Sequence, residues 1–137
     1  MKPVELIQDL YAAFGRGDIA YVLAYVAADC RWVVNADGVP SAGVYEGPAG
    51  VAEFFGKLAS TEEILRFEPR EYFADGNSVV ALGFEECSVI ATGKRASTNW
   101  AMLFRLREGK VTHFETFYNT AAYANAHQPA REMSGVA

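Results

Sequence analysis

The chain has 137 residues and a formal net charge of −5, enough length for one domain with a sizeable buried core. An acidic chain with no basic patch is not built to hold nucleic-acid phosphates. No apolar run approaches the roughly 18 residues of a membrane span, so no membrane partner is expected. Aromatic residues make up 13%, among them nine Phe and seven Tyr, which must fill a core, line a pocket or cover an interface.

Residues 3–15 are predicted as the first helix. Pro3 suits its first turn, and Ile7, Leu10, Tyr11 and Phe14 form one apolar stripe at helical spacing. Gly15 and Gly17 stop it, and Asp18 caps a second helix over 19–28. Asp29 ends that helix or organises the turn before a short strand over 30–35. Residues 36–47 read as a loop rich in Gly, Pro and Ser. Pro48 opens a third helix with a stripe of Val51, Phe54, Phe55 and Leu58. Strands follow over 64–74, 79–91, 95–107 and 111–118, with turns at Asp75-Gly76-Asn77 and Glu108-Gly109-Lys110. Asn119 caps a closing helix.

Residues 1–127 are expected to form a single domain and 128–137 a flexible tail. Cys30 and Cys87 are expected as buried thiols rather than a disulfide. The chain opens directly into an amphipathic helix, and a cytoplasmic location is the expectation. The element order predicts an α+β fold, a curved antiparallel sheet wrapped around the N-terminal helices as a cone.

Five short segments, in order, carry a family resemblance: AAFGRGD (12–18), YEGPAGV (45–51), FEPRE (67–71), DGN (75–77), and GKV (109–111) running through Phe114 to NTAA (119–122). With them the chain resembles the SnoaL-like, ketosteroid-isomerase-related members of the nuclear-transport-factor-2-like superfamily. The resemblance implies the cone fold, a small-molecule pocket and a homodimer. The fold hosts isomerases, cyclases, hydrolases, dehydratases and non-catalytic binders, so activity has to come from the site. Ketosteroid isomerases place a carboxylate on the first strand, a Tyr on the first helix and a second acid on the long strand. The matching positions hold Val34, Leu10 (with Tyr11 adjacent) and, approximately, Met102. SnoaL-type cyclases use an acid on the last strand, where this chain has Thr116, or Glu115 if the register slips by one. Limonene-epoxide-hydrolase-like members need two aspartates bridged by an arginine, and no long strand here carries an aspartate.

The candidate catalytic residue is Glu86. It shares a strand face with Leu82, Phe84 and Ser88. If that face lines the pocket, burial would raise its pKa toward general acid–base work. Otherwise it is exposed, or paired with Arg66, Arg70 or Arg95. The ligand-binding wall is expected from Tyr11, Phe14, Trp32, Val34, Phe54, Phe55, Leu58, Phe84, Trp100, Met102, Phe114, Thr116 and Tyr118. His113 is expected outside, beside Glu115, and His127 in the tail without a role. Two separated histidines and no Cys-x-x-Cys suggest no metal, and no phosphate-binding glycine loop suggests no nucleotide cofactor. Ala101, Leu103, Glu115 and Phe117 on the outer sheet face are the expected homodimer surface. Two readings follow: an isomerase, cyclase or dehydratase moving a proton on an apolar or aromatic molecule, or a non-catalytic binder of such a molecule. An inward, unpaired Glu86 would mark the enzyme, and a salt-bridged or exposed one the binder or a purely structural role.

Overall fold

The computed structural model of the protein describes residues 1–129. Its elements are α1 (Pro3–Gly15), α2 (Ile19–Ala24), β1 (Val26–Val34), β2 (Gly43–Glu46), α3 (Gly47–Thr61), β3 (Glu62–Asp75), β4 (Ser78–Val89), β5 (Arg95–Arg107), β6 (Lys110–Phe117) and α4 (Thr120–His127). The six strands form one curved, unclosed sheet in the order β2-β1-β6-β5-β4-β3. The fold is α+β, with the N-terminal helices held in the hollow of the sheet. The expected loose tail falls mostly on residues outside those described.

Local chemistry explains most boundaries. Pro3 sits in the first turn of α1, and Asp18 caps α2 by accepting from the Tyr21 N–H at 3.1 Å. At the β5–β6 turn Glu108 and Gly109 take φ of 51° and 75°. Two successive left-handed residues suit the tight hairpin that joins twisted strands. Irregular register within β3, near Arg66 and after Pro69, bends the sheet. Pro69 is tolerated because β3 is an edge strand.

Three boundaries depart from expectation. The second helix stops at Ala24, and residues 26–29 belong to β1. Asp29 therefore lies within a strand, where it pairs with Arg107 at 2.7 Å. The reason is tertiary: β1 runs parallel to β6, and the Val111 N–H donates to the Tyr25 carbonyl at 2.8 Å. The sheet is thus mixed rather than wholly antiparallel. Within the expected loop, residues 43–46 form β2, which pairs antiparallel with β1.

The main core lies between the inner sheet face and α1 and α3. Ile7, Val51, Val79 and Val111 are fully buried there. A second core under α4 gathers Val39, Cys87, Val89, Ala96, Tyr123 and Ala126. Both cysteines are buried and free, and burial pushes their thiols up, to about 11 for Cys30 and about 12 for Cys87. On the outer face Phe73, Val80 and Leu103 align across three strands, and Leu82, Ala101 and Phe117 align beside them. Phe117 stays 51% exposed. No described helix is long and apolar enough to cross a membrane.

Candidate functional site

The cone encloses a cavity of about 110 Å³ between the inner sheet face and α1 and α3, with α4 closing one end. A single water needs roughly 10–15 Å³ of such space, so the cavity has room for a small organic ring system. Of the expected wall, Tyr11, Phe14, Trp32, Val34, Phe54, Phe55, Leu58, Met102, Phe114, Thr116 and Tyr118 line it. Helix α1 brings Tyr11 and Phe14, and α3 brings Phe54, Phe55 and Leu58. Alternate residues of β1, β5 and β6 supply the rest, with Tyr118 just past the end of β6. Trp32 stacks on Phe114 with ring centroids 3.9 Å apart, and Phe54 and Phe55 flank it at 5.8 Å each. This half of the wall is almost purely aromatic.

Phe84 and Trp100 do not belong to the wall. Phe84 is on the outer face of β4, with the Arg66 and Arg70 guanidinium groups over its ring at 5.0 and 5.1 Å. Both arginines pair with Glu68, at 2.7 and 2.8 Å, rather than with Glu86. Trp100 points inward but lies behind the lining, stacked on Phe67 at 5.1 Å. It occupies the space above Gly83, where an added Cβ would meet the indole at 2.3 Å. The indole N–H groups of Trp32 and Trp100 are both buried without a partner among the described residues.

Glu86 must also be corrected. Along β4 the buried positions are Val79, Ala81, Gly83, Cys87 and Val89, so the inward set has odd numbers. Glu86 shares the outward face with Phe84 and is absent from the lining, whereas Glu85 lines the cavity. Alternation along a strand makes these two neighbours face opposite ways.

Glu85 is held by α4. The Tyr123 hydroxyl donates to Glu85 Oε1 at 3.1 Å. Burial pushes the Glu85 carboxyl up to about 7, the Tyr123 hydrogen bond opposes the rise, and the nearby Glu62 carboxylate adds to it. A second acid, Glu62 at the start of β3, also lines the cavity, and its Oε2 lies 2.8 Å from His127 Nε2. His127 is therefore not idle: it is the last residue of α4 and packs on a wall carboxylate. Three hydrogen bonds fix α4 in place. Asn119 caps it by accepting from the Ala122 N–H at 3.2 Å, the Asn119 N–H donates to Thr98 Oγ1 at 3.0 Å, and the Thr92 hydroxyl donates to the Ala126 carbonyl at 2.6 Å.

Three phenols complete the site. Tyr11 donates to Met102 Sδ at 3.1 Å, a weak acceptor that a better one would displace. Burial pushes the Tyr11, Tyr118 and Tyr123 hydroxyls well up, so all three remain donors at neutral pH. On the last strand Thr116 faces the cavity, while Glu115 faces out against His113 at 3.2 Å. The polar residues of this end, Glu62, Glu85, Tyr123 and His127, were missed by sequence reasoning, as were the lining residues Leu10, Val22, Ser41, Ile64, Phe67 and Phe104. Gly83, opposite Trp100 in the β4–β5 register, marks the inward parity of β4 and hence Glu85, a pairing that the structure supplies.

A cone with an aromatic cavity and one neutralisable acid defines a small-molecule pocket protein. Residues 7–114 match the SnoaL-like domain model, and the chain belongs to that family, within the nuclear-transport-factor-2-like superfamily. An NTF2-like protein from Burkholderia xenovorans LB400 is similar at 32% identity, over 92% of this chain and 95% of that one, with a TM-score of 0.84. An NTF2-like protein from Burkholderia thailandensis E264 is similar at 29% identity, over 94% and 99%, with a TM-score of 0.86. TerC, co-crystallised with polyporic acid, is similar at 27% identity, over 91% and 97%, with a TM-score of 0.81. No curated protein matches the chain.

Proposed function

We propose that the protein is a small enzyme that moves a proton on a cyclic or aromatic carbonyl compound, with Glu85 as its acid–base group. The observation that carries this reading is a carboxylate in the wall of an aromatic cavity, held on one oxygen by Tyr123. Ionised Glu85 takes a proton from the carbon next to the carbonyl, and the C–H electron pair shifts toward the carbonyl oxygen. The Tyr11 and Tyr118 hydroxyls are the donors available to stabilise that oxygen. The same carboxyl then returns its proton, to another carbon in an isomerisation or to a departing hydroxyl in a dehydration. An acid titrating near the working pH is suited to both halves of such a cycle. The co-crystallisation of TerC with polyporic acid supports a small organic molecule as the occupant.

The second reading, a binder without chemistry, is favoured by Val34 and Thr116, which stand where the resemblance leads one to look for acids. The two separate on deuterium exchange at the activated carbon of 2-tetralone in D₂O, followed by proton NMR. The enzyme reading expects acceleration over buffer that rises with pH to a plateau above about 7. Glu85→Gln should cut it by roughly 100-fold or more, and Glu86→Gln should leave it unchanged. Bound 2-tetralone with no acceleration would favour the binder.

We infer further that two copies pair through the outer rows of Leu82, Ala101, Leu103 and Phe117, with Glu115 at their border. Sedimentation equilibrium should give a dimer mass; a monomer at tens of micromolar would oppose it.

A further inference from the structure

The cavity does not end at its aromatic wall. Phe14, Phe55, Leu58, Glu62 and Ile64 also line a second, shallower hollow on the protein surface. Its outer part is formed by Ile19 at the start of α2, Ala59 near the end of α3, and Ile90 just after β4. The two spaces therefore share a common boundary of mostly apolar side chains. Their sizes differ, at about 110 Å³ inside and about 470 Å³ outside. Ile90 is 58% exposed, and Ala59 is exposed as well. Apolar side chains left to water around a hollow that adjoins the cavity across shared side chains are a cost unless something covers them.

We propose that the hollow is the outer half of a single elongated site, and that the ligand is a ring-headed molecule carrying an unbranched apolar arm. The head fills the inner cavity beside Glu85, and the arm runs out past Leu58 and Ile64 to lie against Ala59 and Ile90. This deepens the proposed function and rests on it for the placement of the head. Two observations select this occupant. The inner space holds a ring and little more, and the outer hollow adjoins it across the apolar side chains of Phe14, Phe55, Leu58 and Ile64. The charged groups of the hollow are two acids, Glu62 and Glu63, which favour an uncharged arm over an anionic one. Glu62 Oε2 is moreover engaged by His127 Nε2 of α4, at 2.8 Å, so that carboxylate is held toward α4 at the edge of the arm's path.

The test is a binding series of phenol and 4-ethyl-, 4-butyl-, 4-hexyl- and 4-octylphenol, read by tryptophan fluorescence and by saturation-transfer NMR on the full chain. Affinity should rise roughly three- to fourfold per methylene once the chain leaves the cavity. Ile90→Asp and Ala59→Glu change exposed positions, so both variants should fold. Each should flatten the series beyond 4-ethylphenol while leaving the affinity for phenol unchanged. Because the arm does not touch Glu85, Glu85→Gln should keep the slope of the series. If its exchange activity were also intact, the proton-transfer reading would fail while the elongated site stood. A flat series in the wild type, or a slope that survives both groove variants, would overturn the proposal. So would a slope that emerges only after removal of residues 130–137, because the hollow would then belong to the chain itself.

Discussion

The two ends of the cavity are built by different means. At one end Trp32, Phe54, Phe55 and Phe114 pack ring on ring, with contacts between 3.9 and 5.8 Å. At the other, Glu85 and Glu62 face inward and are held by Tyr123 and His127 of α4. The aromatic end stabilises the fold. The acidic end costs stability near neutral pH, because buried Glu85 resists ionisation and has one hydrogen bond among the described residues in return. That cost fits the role the proposed proton transfer gives to the acidic end.

The largest expected effect would break the aromatic end. Trp32→Ala removes a ring that is 5% exposed and stacked on Phe114. It should cost about 3–5 kcal/mol in chemical denaturation. The loss should be similar at pH 5 and pH 8, because no titrating group is removed.

The second effect has the opposite sign. The folded-state pKa of Glu85 is raised from 4.5 to about 7, so the folded protein binds the proton more tightly than the unfolded chain does. Stability from this group is therefore present below about pH 4.5 and lost as pH rises toward 7. Glu85→Gln keeps a hydrogen-bond acceptor for Tyr123 and cannot ionise. It should stabilise the protein by up to about 3 kcal/mol at pH 8 and by almost nothing at pH 4. Glu86→Gln, on the outer face, should change stability by less than about 0.5 kcal/mol at either pH. Equal effects of the two substitutions would erase the distinction between the strand's faces.

The same contrast governs what could be read from the chain. The aromatic end was legible because its signals are periodic and local. The stripes of α1 and α3 name Tyr11, Phe14, Phe54 and Phe55, and alternation along β5 and β6 names Met102, Phe114 and Thr116. On β4, residues 79–84 are apolar or glycine at both parities, so alternation alone cannot choose between Glu85 and Glu86. The choice is made by packing, since Val79 and Ala81 are fully buried while Val80 and Leu82 remain partly exposed. His127 and Tyr123 were hidden for another reason. They sit on an eight-residue helix whose place is set by contacts with residues far earlier in the chain, Thr92 in the β4–β5 turn and Thr98 on β5. Likewise β2 is four residues within a segment of Gly, Pro and Ser, and exists through its pairing with β1.

The most direct test of the account is the titration of Glu85 itself, by NMR of the side-chain carboxyl carbon, assigned with Glu85→Gln. The account predicts a midpoint near 7, moving higher in Tyr123→Phe because the hydrogen bond that favours the ionised form is lost. A midpoint near the ordinary 4.5, unmoved by Tyr123→Phe, would contradict it: Glu85 would then be a solvated carboxylate with no special fitness for proton transfer.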